Sequence, residues 1–237
     1  VNVTYPSGSF VRYTYDAVGN RLSKKESGKP AIIYTYDVDN RLLQQGNTSY
    51  SYDECGNLIN KTSPAGTIFY TYDCENRLIH VDNVGGTQVF YNYSSLGERI
   101  EKTNGSGNYY YLYNGIDILA ELDVSGNQIA RYTHTPVIDE TLCMIRNNTP
   151  YFFDMDGLMN VRQIFNDSEI LKASYEYDAF GVIVQQTAEV NNPYCFTGRE
   201  WDTEAGLYYY RNRYYDAEIG RFITQDPMGL KGGINLY

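Results

Sequence analysis

The sequence predicts an all-β protein, a curved strip of successive antiparallel β-hairpins, and three observations carry that expectation. The stretch "YTYDAVGNRL" at residues 13–22 returns as "YTYDVDNRLL" at 34, "YSYDECGNLI" at 50 and "YTYDCENRLI" at 70. The chain holds 26 tyrosines among 237 residues, and tyrosine favours half-buried strands with its hydroxyl at a wet edge. Each copy also places turn residues, Asp followed by Gly-Asn or Asp-Asn, between flanks that alternate in strand fashion.

With the Tyr before each Asp as the mark, the copies fall at Tyr15, Tyr36, Tyr52 and Tyr72, and a degenerate one at Tyr93, with spacings of 21, 16, 20 and 21 residues. That period is short for a pair of helices and fits one β-hairpin per repeat. The Asp supplies an Asx-type hydrogen bond and the following Gly or Asn a left-handed residue where the chain reverses. Asp16 with Gly19 and Asn20, Asp53 with Gly56 and Asn57, and Asp73 with Asn76 fit this reading. The return strand is expected to open with Leu facing in and Arg or Lys facing out. A hairpin cannot bury a face alone, so the hairpins must lie side by side in one sheet, a strip of roughly twenty strands about 4.8 Å apart that curls to cover its inner face.

The same grammar runs on through "YYYLYNGIDILAELDVSGNQIARYTH", "YFFDMDGLMNVRQIFND" and "YEYDAFGVIVQQT". Residues 135–151 read as an insertion-like break, too short and too apolar to separate independent domains. The organisation expected is a hairpin strip over residues 1–192, continuous with a distinct segment over 193–237.

Composition narrows the function. A net charge of −10 and a pI near 4.7 argue against a nucleic-acid partner, which would call for clustered Lys and Arg. No stretch approaches the roughly 18 to 20 apolar residues of a membrane-spanning helix. The N-terminus lacks an initiator Met and a signal-peptide core, and the chain reads as a piece of a longer polypeptide. The four cysteines show no CxxC spacing and the histidines are His80 and His134, so neither a metal site nor a cofactor is expected. Cys55 and Cys74 sit in corresponding turns; a disulfide between them is open in an oxidising compartment, and two free buried thiols is the favoured reading.

Other candidates have plainer readings. Asp154 and Asp156 in "FFDMDGL" lack the remaining ligands of a calcium loop and read as a hairpin turn. The run "YYYRNRYYD" at 208–216 reads as a buried strand pair, with Arg211 and Arg213 across tyrosine faces and paired with acids, rather than a platform for bases or sugars. The N-x-[ST] sequons, among them Asn47 and Asn104, read as chance. The Gly-rich turns have no following helix and are not phosphate cradles. No Ser/His/Asp or Cys/His set can be assembled from the two histidines, so a diffusible-substrate hydrolase is not expected.

From Pro193 the text changes to "NPYCFTGREWDTEAGLYYYRNRYYDAEIGRFITQDPMGLKGGINLY". The pieces "FTGRE", "GLYYYRNRYYD", "GRFITQDP" and "DPMGLKGGINLY" resemble the C-terminal core signature of the Rhs and YD-repeat family, whose relatives include Tc toxin C components and, more distantly, teneurins. The resemblance implies a shell in which the hairpin strip spirals round a cargo and the core segment turns inward as a plug. It implies a partner, the chain's own C-terminal toxin or cargo domain, and a secreted or cell-surface bacterial setting. It also implies aspartyl-type self-cleavage downstream of the core, for which Asp226 of the DPxGL motif and Arg221 of "GRF" are the candidate catalytic residues. The competing reading is a cell-surface adhesion or carbohydrate-binding protein. Open strip edges are further expected to favour self-association.

Overall fold

The computed structural model describes residues 1–4 and 7–237. Nineteen strands, from β1 (Asn2–Thr4) to β19 (Ile183–Ala188), form one antiparallel sheet, and four more, β20 (Glu200–Asp202), β21 (Leu207–Tyr210), β22 (Arg213–Asp216) and β23 (Arg221–Phe222), form a second. In the large sheet the residue pairings run in chain order, from Val3 opposite Val11 at one end to Ser174 opposite Thr187 at the other. Of the break expected over residues 135–151, only 135–140 is loop, a longer hairpin connection across which Tyr132 still faces Met144, and from Thr141 on the chain is back in the ladder.

The turns explain the rhythm. The Asp16 Oδ1 accepts the backbone N–H groups of Val18 and Asn20 at 3.0 and 2.8 Å, and Asp37 and Asp73 do the same in their copies. Three residues past each Asp the backbone is left-handed: Gly19 (φ 86°), Asn40 (φ 64°), Gly56 (φ 82°) and Asn76 (φ 60°). The next residue returns to the Asp through its side chain, by Asn20 and Asn57 amides or by Arg41 and Arg77 guanidinia.

The expected facing of the return strand holds at Leu42, Leu58 and Leu78 and fails at Arg21 and Arg99. The sixth residue after each Tyr faces inward: Arg21 opposite Tyr15, Leu42 opposite Tyr36, Leu58 opposite Tyr52, Leu78 opposite Tyr72 and Arg99 opposite Tyr93. Where Asn is itself the left-handed residue, "NRL" turns Leu inward. Where Gly takes that place, "GNR" slides the letters by one and buries the Arg, and a one-residue slip changes the face of every side chain. Arg21 and Arg99 are accordingly buried, while Leu22 and Ile100 are exposed.

A second contact stitches repeats together. The Tyr of one repeat donates its hydroxyl to the carbonyl of the inward residue of the repeat before it: Tyr36 to Arg21 at 2.9 Å, Tyr72 to Leu58 at 2.8 Å, Tyr93 to Leu78 at 2.6 Å and Tyr113 to Arg99 at 3.0 Å. The strip curls until its last turn meets its first hairpin, where Phe180 packs edge-on against Tyr13 and lies under the Arg21 guanidinium. No strand pairing closes the ring among the described residues.

The small sheet lies inside the curl, with each face in a different half of the core. Leu207, Tyr209 and Tyr214 join Tyr34, Leu42, Leu58, Leu78 and Tyr91 of the early repeats. Tyr208 and Ala217 join Tyr132, Met144, Ile164 and Tyr175 of the later ones. Alternation along a strand thus lets one thin sheet serve both halves. Cys55 and Cys74, read as buried, are exposed free thiols because their turns lie on the outer rim. Cys195 is the buried one, and burial pushes its thiol up to about 12, which leaves it unreactive.

Candidate functional site

The plug is seated by charge as well as by packing. Its two hairpins each carry an Asp-x-Glu turn, Asp202 with Glu204 and Asp216 with Glu218, closed by a left-handed glycine, Gly206 or Gly220, whose N–H meets the Asp carbonyl at 2.8 Å. Each turn grips a lysine from an equivalent place in the strip, nine residues after a repeat Tyr. Lys61 Nζ lies 2.8 Å from Asp216 and 2.6 Å from Glu218; Lys102 Nζ lies 3.1 Å from Asp202 and 2.5 Å from Glu204. This doubled turn was visible in the sequence as "WDTEAG" and "YDAEIG", but its partners lie a hundred residues or more away.

Beside the Asp202 turn stands Arg99, buried through its register. It donates to Glu200 at 2.7 Å and to Asp202 at 3.3 Å, and its guanidinium lies 4.2 Å from the Tyr209 ring centroid. Burial raises the Glu200 carboxyl above its ordinary range even against Arg99. Burial presses Asp202 the same way, but Lys102 and Arg99 prevail and hold it below the usual value. The 135–140 loop makes a further link: Asp139 binds both Arg199, at 2.7 Å, and Arg211, at 2.9 Å.

The C-terminal stretch Asn235–Tyr237 is clamped onto the rim of the strip. The Asn235 amide donates to Asn20 Oδ1 at 2.9 Å, and the Tyr237 hydroxyl donates to the Gly56 carbonyl at 2.9 Å. Gly56 has no room for more, since a Cβ there would come within 2.5 Å of Gln225 and 2.6 Å of the Tyr237 oxygen.

The two residues singled out from the sequence both serve this clamp, from different sides. Arg221 is buried and donates to Asn20 Oδ1 at 2.8 Å, the Asn40 carbonyl at 2.8 Å and Asn235 Oδ1 at 3.0 Å. Its guanidinium stacks near the rings of Tyr36 and Tyr237, and burial lowers its pKa. Asp226 is half-buried; its N–H reaches the Leu236 carbonyl at 2.7 Å and its Oδ1 accepts the Met228 N–H at 2.8 Å. The charge on Asp226 is met by Arg213, Nη2 to Oδ2 at 3.0 Å, and not by Arg221.

Arg213 thus pairs with an acid as expected, and that acid is Asp226; only its ring partner differs. It lies 3.6 Å over the Phe222 ring rather than a tyrosine, and its other nitrogen approaches the Leu236 carbonyl at 3.4 Å. Arg211 pairs with acids as expected, with Asp117 at 3.1 Å and Asp139. The tyrosine faces of this run are covered instead by Arg99 on Tyr209 and Arg199 on Tyr210. Asp156 forms an ordinary Asx turn with Leu158 and Asn160. No group of three or more His, Cys, Asp or Glu side chains is arranged to hold a metal among the described residues.

Chemically, the site is a half-buried carboxylate fixed by one guanidinium beside a peptide carbonyl that receives two donors, the Asp226 N–H and Arg213. No described ion pair or hydrogen bond brings a second carboxylate to Asp226.

Comparison with known proteins gives the context. A family model described as Teneurin YD-shell matches residues 1–231. The tRNA3(Ser)-specific nuclease WapA of Bacillus spizizenii is 33% identical over 237 residues, covering 96% of this chain and 10% of that protein. The double-stranded DNA deaminase toxin A of Burkholderia cenocepacia is 28% identical over 240 residues, covering 96% of this chain and 16% of that protein. Among solved structures, the TcdB2-TccC3-Cdc42 crystal structure superposes on the whole chain with a TM-score of 0.58 at 18% identity, over 17% of its own length. This chain spans only a small part of each relative.

Proposed function

The chain belongs to the teneurin YD-shell family, within the broader Rhs and YD-repeat group, and from that premise we propose that it is the closing end of a toxin shell. The observation that carries this reading is the chain's own C-terminal segment, folded inward as a sheet that fills the curl of the strip, with its last residues clamped at the rim. The relatives are a nuclease and a deaminase toxin of much greater length, and the reading gives this chain a toxin partner of its own, the domain that follows the plug. No helix among the described residues is long and apolar enough to cross a membrane. A secreted or cell-surface setting belongs to the same proposal.

Asp226 is assigned the acid or base role in self-cleavage downstream of Tyr237, with Arg213 as its charged partner and Arg221 holding the tail in place. A carboxylate already fixed by a guanidinium needs no reorganisation when a peptide is brought to it. The experiment is intact mass spectrometry of the chain extended through its native downstream segment, natural and Asp226→Asn. Two fragments from the natural protein and one uncut chain from the variant are expected. If neither is cut, Asp226 is a turn residue and the chain a scaffold; if both are cut alike, Asp226 leaves the chemistry and the cut belongs to another protease.

A further inference from the structure

The last strand of the strip, β19, has a free side. Among the described residues its residue-by-residue pairing is with β18 (Leu171–Tyr177), and all but its first residue are exposed, Val184 by 60%. The direction of its backbone groups follows from one bond: the Glu189 N–H meets the Lys172 carbonyl at 2.8 Å. In an antiparallel ladder the groups of alternate residues point to opposite sides. Thr187 and Gln185 therefore bond to β18, and Gln186 and Ala188 present their N–H and C=O groups to the open edge.

Natural edges usually carry a device against pairing, such as a lysine, a proline or another charge. "IVQQTA" has none of these. The adjacent Glu189 is neutralised by Lys172 at 2.8 Å, so no unmatched charge guards the end. The bulge between Glu176 and Tyr177 leaves Val184 as the extra residue and Gln185–Ala188 in regular register.

We infer that this edge is an interface for a second copy of the chain, joined strand to strand about a two-fold axis at Gln186. The strand is self-complementary in that arrangement. Gln186 faces its own copy as a hydrogen-bonded pair with reciprocal backbone bonds, and Gln185 faces Thr187 of the partner copy on the outer surface, twice. Opposed residues in such a pair must lie on the same face, and Gln185 and Thr187 do: they sit opposite Glu176 and Ser174, on the face away from the buried Tyr175 and Ala173. An isologous contact of this kind closes at a dimer and does not propagate.

The test is sedimentation equilibrium of the chain against concentration, with Gln186→Pro and Gln186→Lys. Proline removes the N–H that points to the open edge and leaves both β18 ladder neighbours intact; lysine sets two like charges across the axis. A monomer–dimer equilibrium weakened at least about tenfold, the equivalent of ~1.4 kcal/mol, by both variants with unchanged circular dichroism and melting temperature is the expected result. A natural chain that stays monomeric overturns the inference. So does a dimer that both variants leave intact, which would move the contact to β1 or the outer face, and so does a series of species larger than the dimer.

Discussion

At the scale of single residues, the buried arginine is what the plug depends on. Arg99 has two carboxylates within reach and aromatic rings around it, so its removal strands charges in a dry place. Breaking a buried pair from one side costs roughly 3–5 kcal/mol. For a chain of this size Arg99→Ala should lower the melting temperature by about 2–4 °C per kcal/mol, measured by calorimetry. Arg77→Ala, whose partners are half-exposed turn acids, should cost far less. A loss at Arg77 equal to that at Arg99 would sink the argument. Acid should act on the same chemistry. Asp202, Asp37 and Asp73 are held below their ordinary values by donors and cations that outweigh burial. A depressed folded-state value means stability present above the unfolded value near pH 4 and lost as pH falls through the folded one. The raised Glu200 has the opposite sign and acts at higher pH, its gain on acidification coming between its raised folded value and its unfolded one. Urea midpoints should therefore hold from pH 7 to about 5 and fall below 4; a midpoint that rises on acidification would show Glu200 dominating.

At the scale of elements, the hairpin was legible and its register was not. Asp, Gly and Asn mark the turn because each acts locally: an Asx bond, a left-handed backbone, a side chain returning to the Asp. Which of "NRL" faces inward depends on whether Gly or Asn holds the left-handed place, a difference of one residue between "DAVGN" and "DVDN". That is countable, and the count would have placed Arg21 and Arg99 inside. It also predicts that Asn40→Gly costs only the bond that the Asn20 amide donates to Asn40 Oδ1 at 2.8 Å, about 1 kcal/mol, because Gly takes the left-handed backbone at no steric cost. Gly56→Ala should be severe, combining strained backbone with a collision against Gln225 and Tyr237. Equal unfolding midpoints for the two variants would refute the register argument. Gly56→Ala should also release the tail, seen as faster amide exchange at residues 235–237.

Over the whole molecule, the strip and the inward turn of the plug could be read from the repeats and from the resemblance of the final segment. The partners of Asp226 could not, because Arg213 reaches it through the reversal between β22 and β23 and the loop after it, where distance along the chain says nothing of distance in space. The resemblance offered Arg221, five residues before Asp226; the fold bonds that arginine to Asn20, Asn40 and Asn235. In the extended chain, Arg213→Gln should slow self-cleavage while Arg77→Gln leaves it unchanged, followed by the fraction of cut chain over time. Unaltered cutting in Arg213→Gln would confine that residue to a structural part.

The tyrosine stitches have a direction. Tyr36, Tyr72, Tyr93 and Tyr113 each donate to a carbonyl earlier in the chain, never to one that has yet to be made. During synthesis, which runs from the N-terminus, every repeat leaves the ribosome to find its acceptor already in place, so the strip can fasten in the order it is translated. The plug follows all nineteen strands of the strip. Until then the inner face stands open, and a ribosome stalled before residue 193 would release a strip with its apolar lining uncovered.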